Sequence, residues 1–350
     1  MKAFVLRATG GEGLEHTALA DVPTPPAPGP GEVRVAIKAA ALNHLDLFVI
    51  QGLPGLPRSL PHILGADGAG VVDAVGPDVS APQLGERVLI NPGISDYSCE
   101  FCRAGEHSLC LRYGILGEHF PGTLTELVTV PAHNVLPVPV ITPPLTWAEA
   151  AAFSLVTLTA WRMLVTRAAV RSGEWVLVWG IGGGVSLTAL RIAKLLGARV
   201  IATSSSDAKL ARATELGAEV VVNHRTQEVT QTVREVTGKR GVDVVVENVG
   251  EATWGESLRC LAKGGRIVTC GGTSGPKLVT DVRPLFWHQL TILGSTMGNA
   301  AEYREVVRRL GQGELRPIVD ATFPLARARA AFERLARGDQ IGKVAVEIGT

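Results

Sequence analysis

Three cysteines and one aspartate lie close together in the chain and could bind a metal ion. Asp96, Cys99, Cys102 and Cys110 are separated by two, two and seven residues. Thiolates and carboxylates are zinc ligands, and four of them close a tetrahedral shell with no open position for a substrate. The cluster therefore predicts a structural zinc. The alternative is a lobe of three free thiols, because a hard oxygen among soft sulfurs weakens a zinc site.

The stretch 174–197 predicts a strand, a tight turn and a helix, because an apolar run is followed by apolar residues at helical spacing. The turn between them contains Gly180, Gly182, Gly183 and Gly184, followed by Val185. Glycines let the backbone approach a ligand, and the N–H groups at a helix start attract a pyrophosphate. The match to G-x-G-x-x-G is imperfect, but Gly180, Gly183 and Ser186 recur at three-residue intervals. We therefore expect a bound dinucleotide here.

The end of the next predicted strand indicates which dinucleotide is bound. NAD enzymes usually carry a carboxylate there, which accepts hydrogen bonds from the ribose. This chain instead has Ser204 and Ser205, and the basic residues Lys209 and Arg225 are near enough in sequence to approach a 2′-phosphate. We expect NADPH, bound by these residues and by Asn248, which follows a later predicted strand. The alternative is a polar turn and a solvated helix face.

Strand-like and helix-like segments alternate through residues 146–296. The strand-like runs begin at Trp175, Arg199, Glu219, Val242, Arg266 and Leu290. Asp207 is placed to cap one of the helices between them. This alternation predicts a parallel, doubly wound sheet with right-handed crossovers. Residues 290–295 would form its last strand, and a bare apolar edge strand predicts self-association as a homodimer or homotetramer.

The flanking residues predict a β-rich layer. Residues 32–38 alternate apolar and polar side chains like a half-buried strand, which needs a second layer to cover it. Strand-like segments also occur at 85–90 and 122–131, and residues 342–349 form a terminal strand. The chain therefore runs from a β-rich part through an alternating α/β part to a short helical and β-strand return.

The composition narrows the class of protein and of partner. A chain of 350 residues suggests about two domains, and 46% apolar with 19% charged residues is typical of a globular protein. A net charge of +1 gives no basis for nucleic acid or an anionic membrane as partner. No signal-peptide pattern or apolar span of membrane length is present. The five cysteines fit metal ligation in a reducing compartment. We expect a cytoplasmic protein that binds a small-molecule substrate.

The order of these segments resembles the medium-chain dehydrogenase/reductase superfamily, which includes zinc alcohol dehydrogenases and zinc-free quinone oxidoreductases. The resemblance covers nearly the whole chain and implies an α/β fold. Residues 1–150 and 297–350 would form a GroES-like, β-rich substrate domain, and residues 151–296 an inserted Rossmann domain. The cysteine cluster has the spacing of the family's structural zinc lobe, with Asp96 in place of the first cysteine. Arg225 follows Asn223 and His224 where NADPH-dependent relatives carry an aromatic and a basic residue.

The resemblance also locates the family's catalytic zinc site, whose ligands are missing here. The corresponding positions hold Asn43, Ala66 and Leu155. Alanine and leucine have no lone pair to give, so the usual catalytic zinc cannot be assembled from these residues. A substitute ligand set would combine His44, Asp67 and His119.

The quinone oxidoreductase branch carries N-x-x-D near the nicotinamide in place of the metal, and Asn43 and Asp46 match that motif. Reducing an alkene beside a carbonyl needs a hydride, a hydrogen-bond donor for the enolate oxygen and a proton. The resemblance suggests Asn43 as that donor and Asp46 as a group that orients the ribose or a neighbouring side chain. Thr157 would position the carboxamide or a water, and His44 would donate the proton. Their alternative role is loop hydrogen bonding beneath the cleft.

These residues favour an NADPH-dependent oxidoreductase that reduces an activated double bond, as in an enone, or a quinone, without a catalytic zinc. An alternative within enzymes is an alcohol dehydrogenase acting on an alcohol/carbonyl pair. An alternative of another class is a non-catalytic NADPH-binding protein, since loss of metal ligands is also what an inactive enzyme would show.

Overall fold

A computed structural model describes residues 1–10, 13–52 and 59–349. The chain divides into two units, of which unit 1 comprises Met1–Leu155 with Asn299–Thr350 and unit 2 comprises Val156–Gly298. The first boundary falls within a helix that begins at Ser154, a few residues after the one between 150 and 151 that the resemblance implies.

The first part of unit 1 consists mainly of short strands. They are β1 (Lys2–Leu6), β2 (Thr17–Asp21), β3 (Glu32–Ala41), β4 (His62–Ile63), β5 (Asp67–Val75), β6 (Arg87–Ile90), β7 (Gly93–Ile94), β8 (Gly114–Ile115), β9 (Leu127–Pro131) and β10 (Val135–Pro137). The helices of this part are α1 (His44–Gln51), α2 (Glu100–Arg103), α3 (Trp147–Ala151) and α4 (Ser154–Trp161), which ends in unit 2.

Strands and helices alternate in unit 2. The strands are β11 (Trp175–Val178), β12 (Arg199–Ser204), β13 (Val220–Asn223), β14 (Val242–Glu247), β15 (Leu261–Thr269) and β16 (Thr291–Gly294). The helices are α5 (Gly184–Leu195), α6 (Asp207–Glu215), α7 (Val229–Val236), α8 (Trp254–Cys260) and α9 (Val282–Trp287), and a π-helical segment, Arg162–Arg167, follows α4.

The chain then returns to unit 1 and completes it. The returning elements are α10 (Ala300–Gly311), β17 (Val319–Pro324), α11 (Ala328–Arg337) and β18 (Lys343–Glu347). Short 3-10 segments occur at His107–Leu109, Ala132–Asn134 and Leu325–Arg327.

The large sheet of unit 1 has the order β10-β6-β5-β3-β18-β17, with β9 also paired to β3. The central strand β3 alternates as predicted, with Val33, Val35 and Ile37 buried in the core. Its last residue, Ala41, lies opposite Asp67 of β5 on one side and opposite Ala345 of β18 on the other. This register brings three distant parts of the sequence together: the end of β3, the start of β5 and the start of β18.

The sheet of unit 2 has the order β13-β12-β11-β14-β15-β16, and all its pairs are parallel. All four residues of the central strand β11 are buried, as expected for a strand covered by helices on both faces. The predicted doubly wound sheet is confirmed, with β16 at its edge. In such sheets the ligand crevice lies at the carboxyl ends of the strands where the order reverses, here between β11 and β14.

Two local predictions in unit 2 were wrong. Strand β15 begins at Leu261 rather than at Arg266, because Gly264 adopts a φ of +74° and the pairing with β14 shifts register there. Asp207 is not a helix cap: Ser206 has the extended backbone of the N-cap, and Asp207 is the first helical residue. The Asp207 carboxylate instead accepts a hydrogen bond from Asn223 Nδ2 at 2.7 Å.

Within the described ranges, none of the helices combines the length and apolar character that a bilayer crossing requires. The fold class is confirmed as α/β, with a β-rich unit and a doubly wound parallel sheet.

Candidate active site and metal site

Asn43 lies where β3 ends and α1 begins, and it is 6% exposed. Its Nδ2 donates to Asp67 Oδ2 at 3.0 Å and to Ala41 O at 3.3 Å. Its Oδ1 accepts from Lys343 Nζ at 2.5 Å. Both amide hydrogens therefore have protein acceptors, and a substrate oxygen would have to replace one of them. The expected role of Asn43 as a hydrogen-bond donor to the substrate remains a prediction, and it requires that replacement.

Asp67 ties this cluster together. It is fully buried, and its Oδ2 accepts from both Lys343 Nζ, at 2.9 Å, and Asn43 Nδ2. Its Oδ1 accepts from the backbone N–H of Leu155 at 2.8 Å. A buried charged pair is retained where further hydrogen bonds satisfy both partners, and that condition holds here. The result is a rigid polar cluster inside an apolar sheet.

Asp46 is hydrogen-bonded to the backbone of Asn43. Its Oδ2 accepts from the Asn43 backbone N–H at 2.7 Å, and its Oδ1 accepts from the Gly65 N–H at 3.1 Å. Both oxygens are thus used by the backbone. Of the two expected roles, this geometry supports orientation of a neighbouring residue rather than contact with a ribose.

Burial raises the pKa of the Asp46 carboxyl to about 7, although hydrogen bonds and Lys343 oppose the shift. The ordinary aspartate pKa is about 3.9, so between about pH 4 and 7 the folded protein retains a proton that the unfolded chain has lost. Stability from Asp46 is therefore fully present below that window and declines as the pH rises through it. We expect the difference in unfolding free energy, wild type minus Asp46→Asn, to fall by about 2 to 4 kcal/mol across it. Urea denaturation of both proteins at a series of pH values measures this difference. A difference that does not change with pH would refute the prediction.

The remaining former ligand positions carry no metal donor. Ala66 is fully buried, and Leu155 contributes only its backbone N–H, to Asp67. His44, Asp67 and His119 are not among the residues that the described structure gathers into a potential metal-binding group. The substitute ligand set is therefore not assembled.

His44 and Thr157, the other two predicted catalytic residues, belong to different units. His44 is the first residue of α1 and is half-buried. Thr157 is buried on α4, within unit 2. Their roles in proton donation and carboxamide positioning stay predictions.

The glycine-rich turn of unit 2 has the form expected for a dinucleotide site. Gly180 and Gly182 have φ values of +62° and +134°, and α5 begins with Gly183 as a cap that offers no side chain to the helix N–H groups. Ser186 Oγ donates to the carbonyls of Gly180 and Gly183 at 2.9 and 3.1 Å. This contact explains the three-residue interval in the sequence. The first-turn N–H groups, which include those of Gly184 and Val185, face an open helix end.

Lys209 reaches this turn from α6. A Cβ on Gly182 would lie 2.6 Å from Lys209 Cδ and 3.2 Å from its Nζ. The aliphatic part of the Lys209 side chain therefore packs against Gly182, and its ammonium lies beside the turn. A cation at that place is suited to a phosphate group.

The residues expected to bind the ribose and its 2′-phosphate lie at the carboxyl edge of the sheet. Ser204 and Asn223 are paired in the register of β12 and β13. Ser204 is buried and its Oγ accepts from the Ser206 N–H at 3.2 Å, whereas Ser205 is exposed. Arg225 is exposed two residues beyond Asn223, and its guanidinium has no ion-pair partner among the residues described. The exposed Arg225 thus follows this edge and β12 itself carries no carboxylate, whereas the Asp207 carboxylate is bonded to Asn223.

Three buried polar atoms near the same edge have no hydrogen-bond partner. They are Trp179 Nε1, Asn248 Oδ1 and Ser295 Oγ, which directly follow β11, β14 and β16. Buried polar atoms normally find partners, so unpaired ones at a strand-end crevice indicate a missing polar ligand. Together with the glycine turn, they fit a bound dinucleotide.

The cysteine cluster is assembled as predicted. The ligand atoms of Asp96, Cys99, Cys102 and Cys110 lie within 4.8 Å of one another. Cys99 caps α2, Cys102 lies on it, and Cys110 follows the 3-10 segment His107–Leu109. In a tetrahedral zinc site the ligand atoms are about 3.8 Å apart, given bond lengths of about 2.3 Å. The four donors therefore fit zinc with small adjustments.

Local hydrogen bonds hold the cluster in shape. Asp96 Oδ1 accepts from the N–H groups of Ser98 and Cys99, and Oδ2 accepts from Arg112 Nε. These bonds hold the pKa of Asp96 well below its usual range, so the carboxylate is ionised. Burial raises the pKa of Cys102 to about 12, so a metal would have to displace its proton. Cys260 packs in the core of unit 2, and Cys270 is half-buried.

Lys343 is the residue of the site that sequence reasoning missed. The sequence predicts it only as part of the terminal strand 342–349. A signal was present, because Lys343 is the basic residue at the start of a strand that is otherwise mostly apolar. Only the register of β18 on β3 shows that its ammonium faces Asn43 and Asp67.

Comparisons with known proteins agree with this architecture. Residues 29–140 match the alcohol dehydrogenase GroES-like domain, and residues 184–312 match the zinc-binding dehydrogenase domain. A zinc-type alcohol dehydrogenase-like protein of Schizosaccharomyces pombe is 34% identical over 91% of this chain and 91% of its own length. The crotonyl-CoA reductase of Streptomyces collinus is 33% identical, covering 94% of this chain and 80% of that protein.

Solved structures show the same fold. The crystal structure of an NAD-dependent alcohol dehydrogenase has a TM-score of 0.93 and 46% identity, with full coverage of both chains. A crotonyl-CoA carboxylase/reductase in complex with NADP has a TM-score of 0.91 and 26% identity, covering 99% of this chain and 94% of that one. The two matched domains and these near-complete alignments show that the chain is an oxidoreductase of the medium-chain dehydrogenase/reductase superfamily.

Proposed function

We propose that this protein reduces a double bond conjugated to a carbonyl, or a quinone, with NADPH and without a catalytic metal. The observation that carries the proposal is the cluster of Asn43, Asp67 and Lys343. Asn43 is one of the positions that the resemblance assigns to the family's catalytic zinc, and in this chain its amide is hydrogen-bonded to a buried ion pair. Such a cluster supplies hydrogen-bond donors, whereas Ala66 and Leu155 supply no side-chain metal ligand.

The chemistry of the two substrate classes favours this assignment. NADPH, when bound, supplies the hydride. A conjugated acceptor spreads the incoming negative charge onto its carbonyl oxygen, where one or two hydrogen bonds from the protein are sufficient stabilisation. Oxidation of a saturated alcohol needs an alkoxide, which a metal ion would normally stabilise. The relatives that act on crotonyl-CoA and acryloyl-CoA also support a conjugated carbonyl compound as substrate.

Alcohol dehydrogenation is the second candidate, because the structure with 46% identity is named an NAD-dependent alcohol dehydrogenase. A steady-state panel separates the candidates. We expect NADPH oxidation with an enone, an unsaturated acyl thioester or a quinone, and little turnover of saturated alcohols with NADP. Alcohol turnover exceeding that of every conjugated acceptor would overturn the proposal. Tight NADPH binding with no turnover of any member would favour the non-catalytic cofactor-binding protein.

NADPH is proposed over NADH on the basis of β12 and its neighbours. The strand ends in Ser204 with no carboxylate, and the exposed guanidinium of Arg225 is available for a 2′-phosphate. We expect Ser204→Asp to weaken NADPH binding by roughly 10-fold to 100-fold, because the new carboxylate repels the phosphate, and to leave NADH binding equal or stronger.

Fluorescence titration of both cofactors measures this change. Ser172→Asp is the matched control, since it adds the same charge beside the amino end of β11, at the opposite edge of the sheet. It should leave both affinities unchanged. Equal affinities of the wild-type protein for NADPH and NADH would refute the assignment.

We also propose that the chain forms a homodimer or homotetramer through β16. Among the described residues this edge strand pairs with β15 alone, and Ile292 is exposed on it. The neighbouring α9 exposes Val282, Phe286 and Trp287, three large apolar side chains. Apolar surface beside a bare strand edge favours association with a second copy.

Ile292→Lys is expected to shift the protein toward monomer, because it places a charge in the paired edge. Light scattering at micromolar concentration measures the mass. Val140→Lys, at an exposed apolar position of unit 1, should leave the assembly intact. A monomeric wild-type protein would contradict the proposal.

A further inference from the structure

Lys343 is a buried lysine with two partners. Its side chain is 4% exposed, and its Nζ donates to Asn43 Oδ1 at 2.5 Å and to Asp67 Oδ2 at 2.9 Å. A buried ammonium is costly unless it is paired and hydrogen-bonded. The three side chains therefore form one hydrogen-bonded unit.

This unit determines how the Asn43 amide points. Lysine can only donate hydrogen bonds, so the amide oxygen must face Lys343. An ionised carboxylate can only accept, so the amide nitrogen must face Asp67. Rotating the amide by half a turn would place two donors together and two acceptors together. Lys343 and Asp67, which are bonded to each other, thus hold the amide in one orientation.

The same contact changes the amide as a donor. A cation hydrogen-bonded to an amide oxygen withdraws electron density from the nitrogen, and linked hydrogen bonds strengthen one another in a buried site. Of the three bonds that the amide makes, the one from Nδ2 to Ala41 O is the longest, at 3.3 Å. The N–H in that bond is the one most readily given to another acceptor.

We propose that Lys343 is a positioning residue for catalysis, which orients and polarises Asn43 so that its Nδ2 can donate to the substrate carbonyl oxygen. This inference rests on the proposed function. It assigns to a lysine near the end of the chain the electrostatic support that a metal ion gives in other members of the family. Lys343 acts through Asn43 and is not itself required to touch the substrate.

A double-mutant cycle tests the proposal. Lys343→Met should lower kcat for enone reduction on the order of 10-fold to 100-fold, with KM and NADPH affinity nearly unchanged. Lys343→Arg retains the charge and should recover part of the loss. In the Asn43→Ala background, Lys343→Met should add less than about threefold, because the residue through which it acts is gone. Lys38→Met, which removes a partly exposed lysine from β3, should have wild-type kcat.

An effect of Lys343 that does not act through Asn43 predicts a different result. The effects of Lys343→Met and Asn43→Ala would then multiply, as they do for independent sites. Multiplying effects, or a Lys343→Met protein with wild-type kcat, would overturn the proposal. Lys343→Met leaves the buried Asp67 charge unpaired. If the variant does not fold for that reason, the double variant Lys343→Met, Asp67→Asn, which removes both charges, takes its place in the cycle.

A measurement without turnover separates this proposal from the proposed function. The side-chain amide resonances of Asn43, assigned by comparison with Asn43→Ala, should lie downfield in the wild-type protein. They should move upfield in Lys343→Met and stay in place in Lys38→Met. A wild-type protein inert toward all conjugated acceptors overturns the proposed function, and the amide resonances then decide whether Lys343 polarises Asn43. Unchanged resonances in Lys343→Met overturn the inference about Lys343.

Discussion

Replacing Asn43 with alanine is expected to raise the barrier to enone reduction by about 2 to 4 kcal/mol, the usual effect of removing one donor to a developing oxyanion. The loss should fall on kcat, because the donor acts on charge that develops only in the transition state. NADPH affinity should be nearly unchanged. Lys343 and Asp67 bond directly to each other at 2.9 Å, so we expect the ion pair to survive loss of the amide and the variant to fold. Stopped-flow measurement of NADPH oxidation gives the rate.

Asn134→Ala is the matched control for loss of a buried amide. Asn134 donates from Nδ2 to the carbonyls of Asn91 and Gly93 at 2.8 and 2.7 Å, in the same unit but in a different hydrogen-bond cluster. This variant should lose stability and keep kcat. If both alanine variants keep wild-type kcat, Asn43 is not the donor and its amide is structural.

If the cluster of Asp96, Cys99, Cys102 and Cys110 binds zinc, as the sequence predicts, removing the ion is expected to lower the unfolding temperature by roughly 5 to 15 °C. The four donors would close a shell around the ion, so the binding free energy would stabilise the fold instead of the chemistry. Without the ion, three thiols and a carboxylate must share one small space. Differential scanning calorimetry before and after chelation measures the change, and metal analysis gives the zinc content.

Cys102→Ser should reproduce the chelated unfolding temperature and make it insensitive to chelator. Cys260→Ala is the control, because this cysteine is buried in the core of unit 2 and belongs to no potential metal-binding group in the described structure. Its unfolding temperature should still respond to the chelator. A wild-type protein that is prepared without chelator and contains no zinc would favour the lobe of free thiols.

Much of the fold was predictable because its signals are local. An apolar run followed by four glycines predicts a strand, a turn and a helix. In the structure β11 forms the strand and α5 the helix, with the turn between them. The alternation in 32–38 predicts one buried face, and β3 has it. Local signals failed where a tertiary contact decided the outcome. Asp207 bonds to Asn223 across the sheet instead of capping its helix, and β15 starts early because its pairing with β14 absorbs a bulge.

The candidate site was only half predictable for the same reason. The four residues of the cysteine cluster lie within 15 positions, so their spacing alone indicated that they meet. Asn43 and Lys343 are 300 residues apart, and their contact depends on β18 returning to pair with β3. No periodicity in the sequence encodes that pairing. Lys343 consequently looked like one charged residue at the start of a terminal strand.

The most direct test of metal-free reduction compares an enone with a saturated alcohol on one preparation, before and after chelation, with circular dichroism recorded in parallel. We expect enone reduction per folded chain to be the same before and after chelation, and alcohol oxidation to be negligible in both cases, because no metal polarises the substrate. Alcohol oxidation that disappears on chelation while the protein stays folded would show a catalytic metal and contradict metal-free reduction.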